Sequence, residues 1–513
     1  MNSEEKLSDP YAWIESGARH APEQAFLTTP SGQRLSYAEL HRASGAWASA
    51  LRRLAVRAGD RVAARCDKSP SSVLLYAGCL RLGAAYVPIN TANTASEVEY
   101  LLRDSAPRVA IVRPADEATL APVAAAAGVS HLLTLGADGT GTAADLANQS
   151  TSDPAARARL EPSALAAIIY TSGTTGRSKG AMLTRGNLAS NACALASAWK
   201  FSADDVLLHA LPLFHVHGLF AAINTVLASG SSLLLLGAFD AAEVLRHLPA
   251  VTVFMGVPTF YTRLLQLPAL DRQSTAHVRL FISGSAPLLA ETHHEFARRT
   301  GHMILERYGM TETLMNTSNP YDGARLPGFV GLPLPGVAIR LVDPDSGAAV
   351  DQPDKVGAIE IRGPNVFAGY WRDPHKTSSE MRPDGWFMSG DLGRVSREGY
   401  LQIVGRAKDL VITGGYNVYP KELEDEIDAL PGVLESAVIG LAHRDLGEGV
   451  TAVVVAKPGA TLTEADIIAG LNARLARYKV PRRVLIVADL PRNAMGKVQK
   501  NLLRQQHASL YET

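Results

Sequence analysis

The sequence predicts an α/β protein: a large N-terminal domain of layered α/β subdomains plus a β-rich subdomain, followed by a small C-terminal α+β domain. Three observations carry that expectation. The 513 residues exceed what one hydrophobic core usually supports, so two or more domains are expected. Short apolar runs of strand length alternate with stretches of helical spacing, the pattern of a layered α/β sheet. After Gly331 the runs shorten and become β-rich, and beyond Lys408 a compact β/α unit follows. A boundary near residues 406–409 divides the chain into 1–407 and 408–513.

Residues 36–64 read as an amphipathic helix and a turn. Residues 71–82 and 97–105 are further helices, separated by a short strand in "AAYVPIN". A strand in "RVAIVRP" and an alanine-rich helix come next, and residues 136–163 read as a solvent loop rich in Gly, Ser, Thr and Asp. Strands in "VLLHAL", "SLLLLG", "VTVFMG", "RLFISG" and "MILERYG" then alternate with helices, before the shorter pieces "AIRLVD", "GAIEIRG" and "YLQIVG". The last unit has the helix "KELEDEIDAL", strands in "SAVIGLA" and "VTAVVVA", the helix "EADIIAGLNARLARY" and the strand "RVLIVADL".

Composition excludes several function classes. With 47% hydrophobic and 19% charged residues the chain is of the soluble globular type. Fifty basic and fifty acidic side chains leave no net charge, which argues against a nucleic-acid or anionic-membrane partner. Cys66, Cys79 and Cys193 are scattered and show no C-x-x-C spacing. They read as reduced thiols of a cytoplasmic protein, with no metal site. The start "MNSEEKLSDPYAW" is too polar for a secretory signal. The most apolar region, 219–239, is interrupted by Asn224 and "SGSS" and cannot span a bilayer.

The stretch "YTSGTTGRSKGAML" at residues 170–183 concentrates groups that hold anions. An apolar run precedes it, and residues 184–199 have helical spacing, so a loop between a strand and a helix is expected. Gly173, Gly176 and Gly180 allow close bends, while Thr171, Ser172, Thr174, Thr175 and Ser178 offer hydroxyls and Lys179 a point charge. Such a loop suits a polyphosphate, although a surface turn has the same composition. Lys179 is followed by Gly180 rather than Ser or Thr, which disfavours an ordinary P-loop kinase or motor.

Further stretches stand out: "LPLFHVHG" (211–218), "SGSAPL" (283–288), "ERYGMTET" (306–313), "SGD" (389–391), "GRAKDLVITGGYNVYPKE" (405–422) and "LPRNAMGKVQK" (490–500). In this order and spacing they resemble the superfamily of acyl- and aryl-CoA synthetases, peptide-synthetase adenylation domains and luciferases, across roughly residues 36–503. The resemblance implies activation of a carboxylate by ATP to an acyl-adenylate with release of pyrophosphate, then transfer to CoA. It assigns Thr171, Ser172, Gly173, Thr174, Thr175, Gly176 and Lys179 to the departing phosphates, Glu312 to Mg2+, and Thr311 to the α-phosphate. Gly284, Ser285 and Ala286 would lie against adenine with Tyr308 stacked on it, and Glu306, Arg307 and Gly309 group with the same nucleotide site. Asp391 and Arg406 would reach the ribose. Lys408 holds the hinge position, so that the C-terminal domain is mobile. One arrangement brings in the catalytic Lys497; the other lines the CoA path with Gly414, Gly415 and Tyr416.

The pocket stretches resemble malonyl-CoA synthetases, including methylmalonate-accepting members, and imply a dicarboxylic acid substrate. On that resemblance Arg263 points inward to bind the distal carboxylate with Ser283 nearby, Val216 and Met315 shape the space around C2, and His215 gates the acid and thiol routes. His215 and His217 have no evident third ligand, so zinc is rejected. "PRNAMGK" also resembles sites at which protein acetyltransferases silence such enzymes. Three alternatives stay open: a short-chain monocarboxylate ligase, an adenylation enzyme loading a carrier protein, and a silent nucleotide-binding module. The first turns on Arg263. The chain ends 16 residues after Lys497 with no carrier domain, which favours CoA over the second, and the joint presence of Lys179, Glu312, Asp391 and Lys497 disfavours the third.

Overall fold

A computed structural model describes residues 8–153, 157–171, 178–472, 474–493 and 495–511. The architecture is mixed α/β, with a large N-terminal domain of several sheets and a smaller C-terminal domain. Among the described residues the strands form four sheets.

The first is a six-stranded sheet in the order His131–Thr134, Val109–Val112, Arg61–Arg65, Ala85–Pro88, Leu165–Thr171 and Lys179–Thr184. All neighbours are parallel except the last pair. The second has nine strands, with Val206–His209, Val253–Gly256 and Leu280–Ser283 parallel at its centre and Leu305–Met310 and Leu314–Ser318 forming a hairpin towards one edge. Val253–Gly256 and Leu280–Ser283 are buried along their whole length, as parallel strands covered on both faces must be. One large apolar cluster unites the facing surfaces of these two sheets, including Tyr76, Ile169, Leu207, Met255 and Ile282.

Two strands at the far edge of the nine-stranded sheet come from the start of the chain. Ala25–Thr28 pairs in parallel with Ser232–Leu235, and Arg34–Ser36 closes the edge. The four-stranded antiparallel sheet follows, ending in Leu401–Arg406. The fourth sheet, from residues 411–487, has its own apolar clusters, one around Val411, Leu423, Val438 and Val454 and another around Ile439, Val453 and Leu503. The segment 136–163, expected as a loop, contains the helix Thr142–Asn148 with Ala143, Ala144 and Ala147 buried. Among the described residues no helix is long and apolar enough to cross a membrane.

Candidate active site

The phosphate-loop stretch sits on a hairpin. Strands Leu165–Thr171 and Lys179–Thr184 are antiparallel with Thr171 opposite Lys179. The expected strand–loop–helix order is therefore corrected: a six-residue strand intervenes, and the helix Arg185–Ala198 starts about 20 Å further along the chain. Thr184 and Asn187 cap that helix reciprocally. Ser172, Gly173, Thr174, Thr175 and Gly176 lie outside the described residues. The hairpin's mouth is held from the helix Ala95–Ser105: Tyr170 Oη donates to Asp104 at 2.5 Å and Tyr100 Oη to the Ser178 carbonyl at 2.7 Å. Tyr100 and Asp104 carry no motif, and nothing in the sequence marked them.

Lys179 Nζ stands 5.7 Å from the centre of the Tyr370 ring. The Tyr370 hydroxyl lies 3.0 Å from Glu312 Oε1 and 2.7 Å from Glu380 Oε2. One phenolic proton cannot serve both carboxylates. Glu312 is 7% exposed, and burial, with the Glu380 charge as a lesser contribution, raises its carboxyl above the usual range. Among the described residues no three acidic, His or Cys side chains cluster to hold a metal. A dication here would thus take one carboxylate and rely on phosphates and water, the mode Mg2+ favours, and its charge would relieve the crowding at Glu312. The residues fit such an ion.

Glu312 lies in the tight turn between Leu305–Met310 and Leu314–Ser318, not at a helix start. That turn needs Gly309, where a Cβ would come within 2.0 Å of the Leu314 carbonyl. Thr311 shares the turn and is half-buried. Tyr308 Oη donates to Asp391 Oδ2 at 2.6 Å, and Arg406 Nε lies 2.6 Å from Asp391 Oδ1. Asp391 and Arg406 face each other across neighbouring strands. Tyr308, Asp391 and Arg406 are thus joined by one hydrogen bond and one ion pair. Glu306 is not part of it. Its carboxylate turns to the Gly328 N–H at 3.0 Å, burial raises it to about 8, and its carbonyl is taken by Asn319. A backbone role in sheet pairing replaces the nucleotide role expected for it.

Lys497 reaches the same place from the C-terminal region. A turn presents it: Asn493 Oδ1 accepts from the N–H groups of Met495 and Lys497, both at 3.0 Å, and Arg492 donates to the Gly496 carbonyl at 2.7 Å. Met495 is buried in the large N-terminal cluster. Gly496, at φ +73°, stands against Thr259, where a Cβ would be 2.9 Å from Oγ1. Burial lowers the Lys497 ammonium to about 8; Arg406 adds to this and Asp391 opposes it. Lys408 occupies the single turn Ala407–Asp409, exposed, between the four-stranded sheet and the last one. Gly414, Gly415 and Tyr416 are exposed and are not brought to the site; Tyr416 is 58% exposed and stacks on Tyr478.

The fourth component is a cluster of buried polar side chains on the segments 215–217, 283–286 and 307. His215, Val216 and His217 enter it at the start of a π-helical segment, His217–Asn224. Ser285 Oγ and His217 Nδ1 share a hydrogen bond of 3.2 Å, with Ser285 held at φ +73°. Arg307 was grouped with the nucleotide by its motif, but the structure places its guanidinium against Gly284, where a Cβ would lie 2.5 Å from the guanidinium carbon. It is 3% exposed, and burial lowers it to about 9. Burial, then the Arg307 charge, holds both histidines down, His215 at about 4. Arg307 Nε and Nη2, Ser283 Oγ and His217 Nε2 are all buried without a hydrogen-bond partner among the described residues. Val216 and Met315 are buried in the apolar cluster nearby. Ala286 is half-buried at the end of the same segment. Arg263 departs from expectation. It is exposed on the helix Pro258–Leu265, whose inward positions are Tyr261 and Leu264, and no hydrogen bond or ion pair holds it among the described residues.

The hairpin at Thr171 and Lys179, the linked Tyr308, Asp391 and Arg406, and the Lys497 turn are the parts of the candidate site, and comparison with known proteins shows the family. The profile described as AMP-binding enzyme matches residues 14–371, and that of the AMP-binding enzyme C-terminal domain matches residues 422–497. The chain belongs to the AMP-binding enzyme family. It is 36% identical to the mouse mitochondrial malonate–CoA ligase over 487 residues, covering 88% of this chain and 82% of that protein. It is 35% identical to a feruloyl-CoA synthase of an Amycolatopsis species, over 96% of this chain and 98% of the relative. The ATP-bound crystal structure of MatB from Rhodopseudomonas palustris superposes with a TM-score of 0.96 at 51% identity, covering 98% and 99% of the two chains.

Proposed function

We propose that the protein is an ATP-dependent malonate–CoA ligase. It converts malonate, with methylmalonate as a second substrate, to the acyl-CoA through an acyl-adenylate, releasing pyrophosphate and then AMP. The observation that carries the choice of acid is the buried Arg307 guanidinium, whose Nε and Nη2 have no hydrogen-bond partner among the described residues. One carboxylate of malonate reacts, and the other needs a buried cation; Arg307, with Ser283 and His217 beside it, offers one in the geometry carboxylates prefer. Arg263, on the exposed helix face, is left the weaker task of attracting the dianion.

In the first half-reaction a carboxylate oxygen attacks the α-phosphorus and pyrophosphate leaves. Thr171, Lys179 and the residues of the loop between them hold the β- and γ-phosphates, Tyr308 and Asp391 the nucleoside, and Thr311 the α-phosphate. Mg2+, when bound, neutralises phosphate charge, and Glu312 is the residue that would hold it. Lys497 offsets the charge gathering between the carboxylate and the α-phosphate. His215 stays neutral near pH 7 and is free to move aside as a gate. In the second half-reaction rotation about Lys408 withdraws Lys497 and brings residues 413–417, of which 414–417 are exposed, over the site for CoA. Lys497, its ammonium lowered to about 8, also presents an amine that a protein acetyltransferase can silence by removing its charge.

The test is kcat/KM for malonate, methylmalonate, propionate and butyrate on wild type and Arg307→Ala. Monoacids leave the guanidinium buried and unpaired, a loss on the order of 2–5 kcal/mol. One methyl group at C2, beside Val216 and Met315, is worth about 1–3 kcal/mol. Discrimination against monoacids therefore exceeds that between the two diacids. Wild-type preference for butyrate, or an Arg307→Ala enzyme that still favours malonate, overturns the reading.

A further inference from the structure

Residues 410–511 are tied to residues 8–406 by few polar contacts. The burial of Met495, the apposition of Gly496 to Thr259 and the packing of the helix Pro420–Asp428 on the strand Leu401–Arg406 are contacts of shape. Among the described residues one ion pair crosses between the two parts: Lys457 Nζ lies 2.7 Å from Glu291 Oε1. Both partners are anchored. Lys457 follows the strand Gly447–Ala456, with its N–H bonded to the Gly432 carbonyl. Glu291 is in the first turn of the helix Ala290–Thr300, where a negative charge is favoured by the helix dipole.

We propose that Lys457 and Glu291 form an electrostatic latch that positions Lys497 for adenylate formation and sets how readily the enzyme leaves that arrangement. The proposal rests on the reading that the C-terminal region rotates about Lys408. Lys457 and Lys497 belong to the same moving part, so a rotation that withdraws Lys497 separates Lys457 from Glu291. The pair is partly exposed, with side-chain exposures of 38% and 61%, so its energy is small. A small energy is what a latch between two working states requires, because a strong tie would stop the second half-reaction. An exposed pair shifts a two-state balance by about two- to five-fold, enough to redistribute time between the half-reactions without abolishing either. Lys457 and Glu291 touch no reacting atom; they are positioning residues.

The experiment is a charge-swap cycle on the full chain: Lys457→Glu, Glu291→Lys and the double variant, each checked for an unchanged melting temperature. Malonate-dependent pyrophosphate exchange reads the first half-reaction, and thioester formation from supplied malonyl-adenylate and CoA reads the second. Each single variant is expected to lose about two- to five-fold in exchange while thioester formation stays level or rises. The swap restores exchange, and added salt weakens wild type towards the single variants. Equal losses in both half-reactions, or a swap that restores nothing, overturns the latch. Lys497→Ala is run beside them. If it separates the half-reactions while the latch variants do not, the latch alone falls; if it too fails to separate them, the rotation reading falls with it.

Discussion

Lys497 must be charged to work, yet burial and the Arg406 charge make that charge costly. Its ammonium is lowered to about 8, so the protonated fraction falls as pH rises through that value. Pyrophosphate exchange is therefore expected to decline on the alkaline side of pH 8, while thioester formation from supplied malonyl-adenylate does not follow the same titration. Lys497→Ala is expected to lose about a hundredfold or more in exchange and to keep the second step; a mutant equally defective in both steps would sink the assignment. Arg307 and Arg263 form a second contrast at this scale. Arg307→Ala is expected to abolish malonate use and leave the ATP site intact, whereas Arg263→Ala, touching an exposed side chain, raises KM for malonate several-fold at most, within what rim charges usually contribute. The two variants' KM and kcat, measured side by side, decide which arginine holds the acid. The resemblance to malonyl-CoA synthetases pointed to Arg263, but Tyr261 and Leu264 take the inward face of its helix. The motif that contains Arg307 was legible, and its side chain's turn into the buried polar cluster was not, since that depends on Gly284 leaving room for it.

Among the elements, the turn Ala407–Asp409 is where a local change should separate the half-reactions. Lys408→Pro fixes φ and removes a backbone donor, so pyrophosphate exchange is expected to survive better than thioester formation. A parallel fall in both with an unchanged melting curve counts against Lys408 as the pivot. Long, strongly patterned elements were legible in the sequence: the helix Tyr37–Arg53 starts at the Ser36 capping box, and the buried strands of the central sheets stand out as apolar runs. Elements made by distant partners were not. The strand Lys179–Thr184 contains Gly180, a weak strand former, and exists because Gly180 fits beneath Ile168, where a Cβ would come within 2.6 Å. The helix Thr142–Asn148 is too short to carry a period, and its buried alanines are set by the helix Tyr37–Arg53 it lies against.

For the whole molecule, the apolar clusters within residues 411–511 and, among the described residues, one crossing ion pair mean that this part has its own source of stability. Calorimetry is expected to resolve two transitions, with ATP and malonate together raising and merging them because both parts contribute to the bound site. One transition, insensitive to ligands, would argue for a single cooperative unit. The nine-stranded sheet has a different kind of dependence. Its strand Ala25–Thr28 pairs with Ser232–Leu235, and Gln24 is held by the carbonyls of Ala203 and Gly230. A ribosome therefore releases Phe26 and Leu27 long before the chain that covers them exists. At about 5–20 residues per second, the delay across some two hundred residues is roughly 10–40 s, during which an apolar segment stands uncovered. Nascent chains stalled before residue 232 should therefore recruit chaperones or aggregate, and those stalled well beyond it should not.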